Sequence, residues 1–179
     1  MPIAVTQRFA AAPWSLSIKA ASTLAVAVLA AIWLSVTRYR IPGAAAGALI
    51  AVLPPAIVAG ALLFIVTGYE LDGRTLVVRR LFWSTRVALD GLDRAWHDPG
   101  AMARSIRIFG NGGLFAITGL FRSSRLGNYR AFVTNPANAV VLRAGGRAFV
   151  VSPALPHAFL ARVKASFPAV EIGSPAALA

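Results

Sequence analysis

The sequence predicts a transmembrane α-helical hairpin followed by a small, basic, β-rich domain that ends in one helix. Three observations carry this reading. Two long apolar runs lie near the N-terminus, separated only by Thr37–Arg40. Beyond Val66 the pattern changes to short strands punctuated by Asp-Gly and Gly-Gly pairs. The chain is 58% hydrophobic and only 13% charged, with a mean hydropathy of +0.69.

Length and charge narrow the classes. At 179 residues there is room for an anchor and one compact domain, not for two sizeable soluble domains. Lys and Arg number 18 against 6 Asp and Glu, a formal charge of +12 and a pI near 11.8. All these cations except Lys19 and Lys164 are arginine. Such an excess suits either a polyanion or an anionic leaflet, and a chain already in a bilayer favours the leaflet. The chain has no cysteine, which excludes disulfides, thiolate metal sites and Cys nucleophiles and fits a reducing compartment.

The first apolar run, Leu16 to Val36, would rise roughly 31 Å as a helix, enough to cross a hydrocarbon core of about 30 Å. Lys19 lies in its first turn, where its stem can reach the headgroups. Trp14, Trp33 and Tyr39 match interfacial aromatic belts. The second run, Ile41 to Val66, would rise roughly 39 Å, so it should tilt, kink or protrude. Pro54-Pro55 supplies a cause for a kink, because each proline removes a backbone donor. Gly43 and Gly47 form a GxxxG spacing and Ala56 and Gly60 repeat it, a face suited to homodimerisation or to packing within the hairpin. A long polar lead and the absence of a clean A-x-A site after Val36 favour a retained helix over a cleaved signal. Arg8, Lys19, Arg74, Arg79 and Arg80 flank the hairpin, against Arg38 and Arg40 in its loop, which places both termini in the cytoplasm.

The rest divides into an N-terminal tail (1–15), a domain (67–167) and a flexible tail (168–179). Asp72-Gly73 joins Tyr69–Leu71 to a return strand over 75–82, and Asp90-Gly91 joins 85–89 to 92–96. Ser105–Phe109 reads as a strand, 114–127 resists assignment, and 128–134, 139–142 and 147–151 read as strands around Gly145-Gly146. Six or seven short strands in this order suggest an antiparallel sheet or small barrel. Phe159, Leu160, Val163 and Phe167 then recur at helical spacing behind Pro153 and Pro156.

The run Tyr129-Arg-Ala-Phe-Val-Thr-Asn135, Ala139–Leu142, Ala148–Pro153 and Phe159, with Gly119–Phe121 and Leu126-Gly127 before it, resembles the bacterial pleckstrin-homology-like domain family. Tyr69–Leu71, Leu76–Phe82 and Val87–Leu92 are similar to that family's opening strands. The resemblance spans about 100 residues of the chain. It implies a partly open, seven-stranded barrel capped by a C-terminal helix, often preceded by two transmembrane helices, in the bacterial inner membrane. Where the family usually has an acidic residue before the helix, this chain has Ala154–Ala158. The resemblance says little about a ligand.

Catalysis finds little support in the residues, and an enzymatic reading would require His97 or Asp98 to be essential. His97 and His157 lie far apart in sequence without metal-ligand spacing. Asp72, Asp90 and Asp98 are turn formers, and Gly110–Gly113 fits neither a dinucleotide fingerprint nor a P-loop. Ser152 lacks a nucleophile-elbow context. No catalytic residue, cofactor or metal is assigned, and no nucleic-acid motif is present. The arginines stand out instead: Arg104, Arg107, Arg122, Arg125, Arg130, Arg143 and Arg147 occur between Pro99 and Val151 with no acid among them. The first five are the candidate contacts for anionic lipid headgroups or an acidic protein partner. The expected function is a non-enzymatic, membrane-anchored binding or scaffold module. The alternative is an accessory subunit of a larger membrane complex, working through its hairpin.

Overall fold

A computed structural model describes residues 7–39 and 44–173. The chain opens with a short strand, β1 (Gln7–Ala10), and then a long helix, α1 (Leu16–Tyr39). Helix α2 (Ala44–Leu62) follows and packs on α1. Among the described residues only one helix, over Leu16–Arg38, is long and apolar enough to cross a membrane, and just 11% of its apolar window is buried. The helix found where the second span, Ile41–Val66, was expected is shorter than that apolar run. Its apolar helical stretch is Gly47–Leu62, Ile41–Gly43 lie outside the described residues, and Val66 already belongs to a strand. Arg40 of the loop and Gly43 of the GxxxG pair also fall outside. Helix α2 remains helical through Pro54 and Pro55. It faces α1 through Pro54, Pro55, Val58 and Leu62, which line a groove of about 390 Å³ with Leu29 and Trp33. Gly60, expected on a helix-pairing face, points away from that groove toward the β domain.

Behind α2 come β2 (Val66–Asp72), β3 (Thr75–Arg80) and β4 (Ser84–Ala88), which form an antiparallel sheet in the order β1-β2-β3-β4. Gly73, at φ +56°, supplies the left-handed turn residue between β2 and β3. A second sheet is built from β5 (Leu92–His97), β6 (Ile106–Gly112), β7 (Ile117–Ser123), β8 (Gly127–Val133), β9 (Val140–Ala144), β10 (Arg147–Val151) and β11 (Glu171–Gly173). Its order is β11-β5-β9-β10-β8-β7-β6, with parallel β10–β8 and β11–β5 pairs. Helix α3 (Pro156–Ser166) precedes β11.

Three expectations are corrected by this arrangement. The N-terminal tail contains β1, whose Phe9 pairs with Tyr69 and meets the Phe159 ring edge-on at 5.2 Å. The C-terminal tail contains Val170, fully buried, and β11. The unassigned stretch 114–127 contains β7. Among the described residues eleven strands in two sheets therefore replace six or seven, and the sheets do not close into a barrel.

The main core lies between the sheets and under α3, around Tyr69, Leu76, Phe132, Leu142, Phe159 and Val163. A smaller cluster on the outer face of the second sheet, including Trp96, Phe121, Tyr129 and Val141, is covered by the loop from β5 to β6. That loop must cross the whole sheet, since β5 and β6 stand four strands apart, and Ala101 and Met102 pack beneath it.

Polar bonds tie the segment before α1 to the domain behind α2. The Tyr69 hydroxyl donates to the Phe132 carbonyl (2.6 Å) and accepts the Ser152 N–H (3.0 Å). Ser152 Oγ accepts the Thr134 N–H, and the Thr134 hydroxyl donates to the Ala12 carbonyl at 2.7 Å. Burial pushes the Tyr69 phenol up to about 12, because its anion would lose hydration.

Candidate functional site

Strand alternation sets the site. In β3, Leu76, Val78 and Arg80 share one face, and all three are buried. The first two enter the core, whereas Arg80 emerges where β3 meets the end of α2. Its Nη1 donates to the Phe64 carbonyl at 2.8 Å, and its Nε donates to the Thr85 hydroxyl at 3.3 Å. The guanidinium lies 4.6 Å from the Trp83 ring centroid and 5.3 Å from that of Phe64. Trp83 in turn donates its indole N–H to the Leu63 carbonyl at 2.8 Å. The segment just past α2 is thus clamped onto the β3–β4 turn by an arginine stacked on aromatic rings.

Arg130, on β8, faces the same space. The Phe132 ring is shared: Arg80 stands 5.6 Å and Arg130 5.4 Å from its centroid. Among the described residues no carboxylate pairs with either. Desolvation first, and then the positive charge of Arg130, push the pKa of Arg80 down. Between them lies a pocket of about 740 Å³, at the place where the sheets part. Edge strands β4 (Thr85) and β6 (Phe109) line it, with Leu120 of β7 and Ile57, Gly60 and Phe64 of the α2 end.

The β6–β7 hairpin forms one wall, and paired glycines shape it. Gly110 (φ +110°) and Gly119 (φ +140°) face each other across the ladder. A Cβ on Gly119 would collide with the Phe109 carbonyl, and one on Gly110 with that of Thr118. The hairpin tip reaches α1, where the buried Ser22 hydroxyl accepts the Phe115 N–H (2.8 Å) and donates to the Gly113 carbonyl (3.2 Å). Large apolar side chains stay exposed beside the helix ends: Phe109 is 79% and Phe82 74% accessible, with Ile106, Leu81 and Trp83 near them in the chain.

The five candidate arginines are not gathered into one patch. Arg130 lines the pocket, and Arg122, on the same face two ladder positions away, pairs across strands with Asn128 and Ile106. Arg125 is committed on the outer face, its Nη2 donating to Asp98 Oδ2 at 3.0 Å. Arg107 is exposed and pairs with Phe121, whose ring belongs to the outer cluster. Arg104 is exposed in the crossing loop at φ +54°. Arg80 was absent from the expectation, although the spacing Leu76-Val78-Arg80 put it on the buried face. The histidines, distant in sequence, meet in space with ring centroids 5.7 Å apart, and His97 Nε2 lies 3.0 Å from the Ala137 carbonyl oxygen. Among the described residues no group of three or more His, Cys, Asp or Glu could hold a metal ion.

Residues 67–166 match the model of a protein family described as bacterial PH domain. No curated protein and no solved structure matches the chain.

Proposed function

The chain belongs to the bacterial PH domain family, and on that premise we propose that it is a non-enzymatic binding module held against the inner membrane by two crossings of the chain. The observation that carries this reading is the β1–β2 pairing. β1 precedes the helices and β2 follows them, so both lie on one side of any bilayer and the chain between them crosses an even number of times. Helix α1 has the length and apolarity to cross. The return then falls to α2, whose 19 residues rise roughly 28 Å against a hydrocarbon core of about 30 Å. The exposed Phe82 and Phe109 then sit at headgroup depth, where aromatic side chains are favoured. The excess of Arg and Lys beside β1 and β2 over the loop orients the domain and both termini to the cytoplasm.

At that surface the module engages anionic groups through its arginines, each contributing about 1 kcal/mol near an anionic leaflet. A second reading, a complex subunit acting through the hairpin, is supported by the apolar groove between α1 and α2 at Pro54-Pro55. Washing membranes with alkaline carbonate and assaying lipid that copurifies with the full chain tests the first reading. The chain stays in the membrane fraction and anionic lipid is enriched over its bulk share. Release by carbonate refutes the anchor, and lipid recovered in bulk proportion refutes the anionic preference.

A further inference from the structure

We infer that the pocket between the end of α2 and the parted sheet edges holds one phospholipid from the adjoining leaflet, its phosphate between Arg80 and Arg130 and an acyl chain along Ile57, Gly60 and Phe64. The inference rests on the membrane-anchored reading and names the ligand of that surface.

Charge is the first argument. The ion pairs of the described residues give Glu70 to Arg8 and Arg79, Asp90 to Arg74, Asp98 to Arg125 and Glu171 to Arg94. Arg80 and Arg130 share a ring and a cavity, and neither appears in any of these pairs. Arg80 is desolvated and meets the positive charge of Arg130, and an anion between the two offsets both costs. A phosphate suits them because guanidinium forks bind its oxygens bidentately.

Shape is the second argument. A phosphate alone would leave most of a cavity of about 740 Å³ unfilled. The remaining wall is mostly apolar, with Thr85, Asn111 and Thr118 as its polar side chains, and is continuous with the membrane-facing end of α2, so the occupant carries hydrocarbon as well as charge. A leaflet lipid brings both and needs no passage through water.

The test weighs the full chain natively in mild detergent against three probes. Phosphatidylglycerol has the phosphate and the chains, diacylglycerol only the chains, and glycerol 3-phosphate only the phosphate. Phosphatidylglycerol forms a one-to-one complex, and each of the other two binds at least about tenfold more weakly, the loss expected when a charge-assisted contact or the apolar contact is absent. Arg130→Gln, at an exposed position that leaves the core intact, weakens phosphatidylglycerol by about tenfold or more. Gly60→Leu, whose Cβ enters open space, weakens it too without changing glycerol 3-phosphate. Near-ultraviolet circular dichroism of each variant matches the parent. Unchanged binding in both variants, or glycerol 3-phosphate binding as tightly as the lipid, overturns the inference. If the variants bind normally while anionic lipid still copurifies in excess, the pocket is wrong and the surface reading stands. Carbonate release of the chain overturns both.

Discussion

Arg125 and Arg80 are the same side chain in two settings, one on each face of the second sheet or its approach. Arg125 is half-exposed and meets Asp98, a buried carboxylate that also accepts the Gly100 N–H at 2.9 Å. The pair fastens the loop crossing the outer face to the β7–β8 turn, and its charge is spent on architecture. Arg80 is buried among rings and a carbonyl, with another arginine opposite and no acid in any described pair. A net charge of +12 is therefore a poor map of function in this chain. Arg125 has a carboxylate partner and Arg80 has none among the described residues, which is the difference the proposed lipid site rests on. The acid-free run from Pro99 to Val151 drew attention to Arg125, yet its acid stands one residue outside that run.

The largest expected effect breaks the comparison by removing one side of it. Gly119→Ala puts a Cβ into the Phe109 carbonyl at a φ of +140°. The combined strain and displacement cost about 3 kcal/mol or more. Collapse of the β6–β7 wall closes the pocket and frees the hairpin tip from Ser22, while the Arg125–Asp98 tie persists. Hydrogen exchange by mass spectrometry in detergent checks this: protection falls in 106–123 and holds in 92–104.

Alkaline pH comes next, and it acts on both sides, because burial raises the phenol pKa of Tyr69 inside and of Tyr129 in the outer cluster. Tyr69 keeps its proton in the fold up to about pH 12, whereas the unfolded phenol ionises near 10.0. Below pH 10 both states are protonated and stability is unaffected. Between 10 and 12 only the unfolded state ionises, so stability falls by about 1.4 kcal/mol per pH unit, roughly 2.7 kcal/mol by pH 12. Tyr69→Phe removes the Tyr69 share of that slope and leaves the part due to Tyr129, while lowering stability at neutral pH by about 1–3 kcal/mol, because the Phe132 carbonyl and Ser152 N–H lose their partner. Urea titrations of both proteins at stepped pH measure the two effects.

These residues also show what the sequence could and could not tell. The Asp-Gly and Gly-Gly turns were legible because a left-handed residue is needed there, and Gly73, Gly91, Gly145 and Gly146 all take positive φ. The C-terminal helix was legible from its apolar spacing, and Phe159 and Val163 are fully buried. Strand β7 was hidden because Gly119 interrupts its alternation, and the reason for that glycine is the backbone of Phe109, ten residues away in sequence. Strand β1 was hidden because four residues carry no period, and its partner lies beyond both helices. For the site, alternation in β3 placed Arg80 inward, but only the return of α2 and the fold of Trp83 supplied the lid that makes it a pocket wall.

A smaller effect sharpens the contrast from the outer side. Arg125→Gln leaves Asp98 buried with one backbone donor, yet water can follow the half-exposed side chain that is lost. The expected cost is about 1–2 kcal/mol. Phosphatidylglycerol binding stays within twofold of the parent, as a rough bound for a residue remote from the pocket. A tenfold loss of lipid on this substitution would erase the distinction between the two arginines.

The smallest effect belongs to Arg74, which has both kinds of partner at once. Its Nε donates to Asp90 Oδ1 at 2.9 Å, and its guanidinium stands 5.6 Å from the Phe167 ring centroid. The ion pair is open to water on both sides, with side chains 65% and 73% accessible, so solvent and salt screen most of it. The ring contact covers the end of α3 and survives salt better, since part of it is simple packing of the stem. Arg74→Gln is therefore expected to cost less than about 1 kcal/mol in dilute buffer, and Asp90→Asn less still. At molar salt the cost of Asp90→Asn vanishes while a remainder persists for Arg74→Gln. Equal losses for both substitutions at every salt concentration would mean that the carboxylate alone matters here. The rule that separates Arg80 from Arg125 by partner would then fail at a residue that tests both partners together.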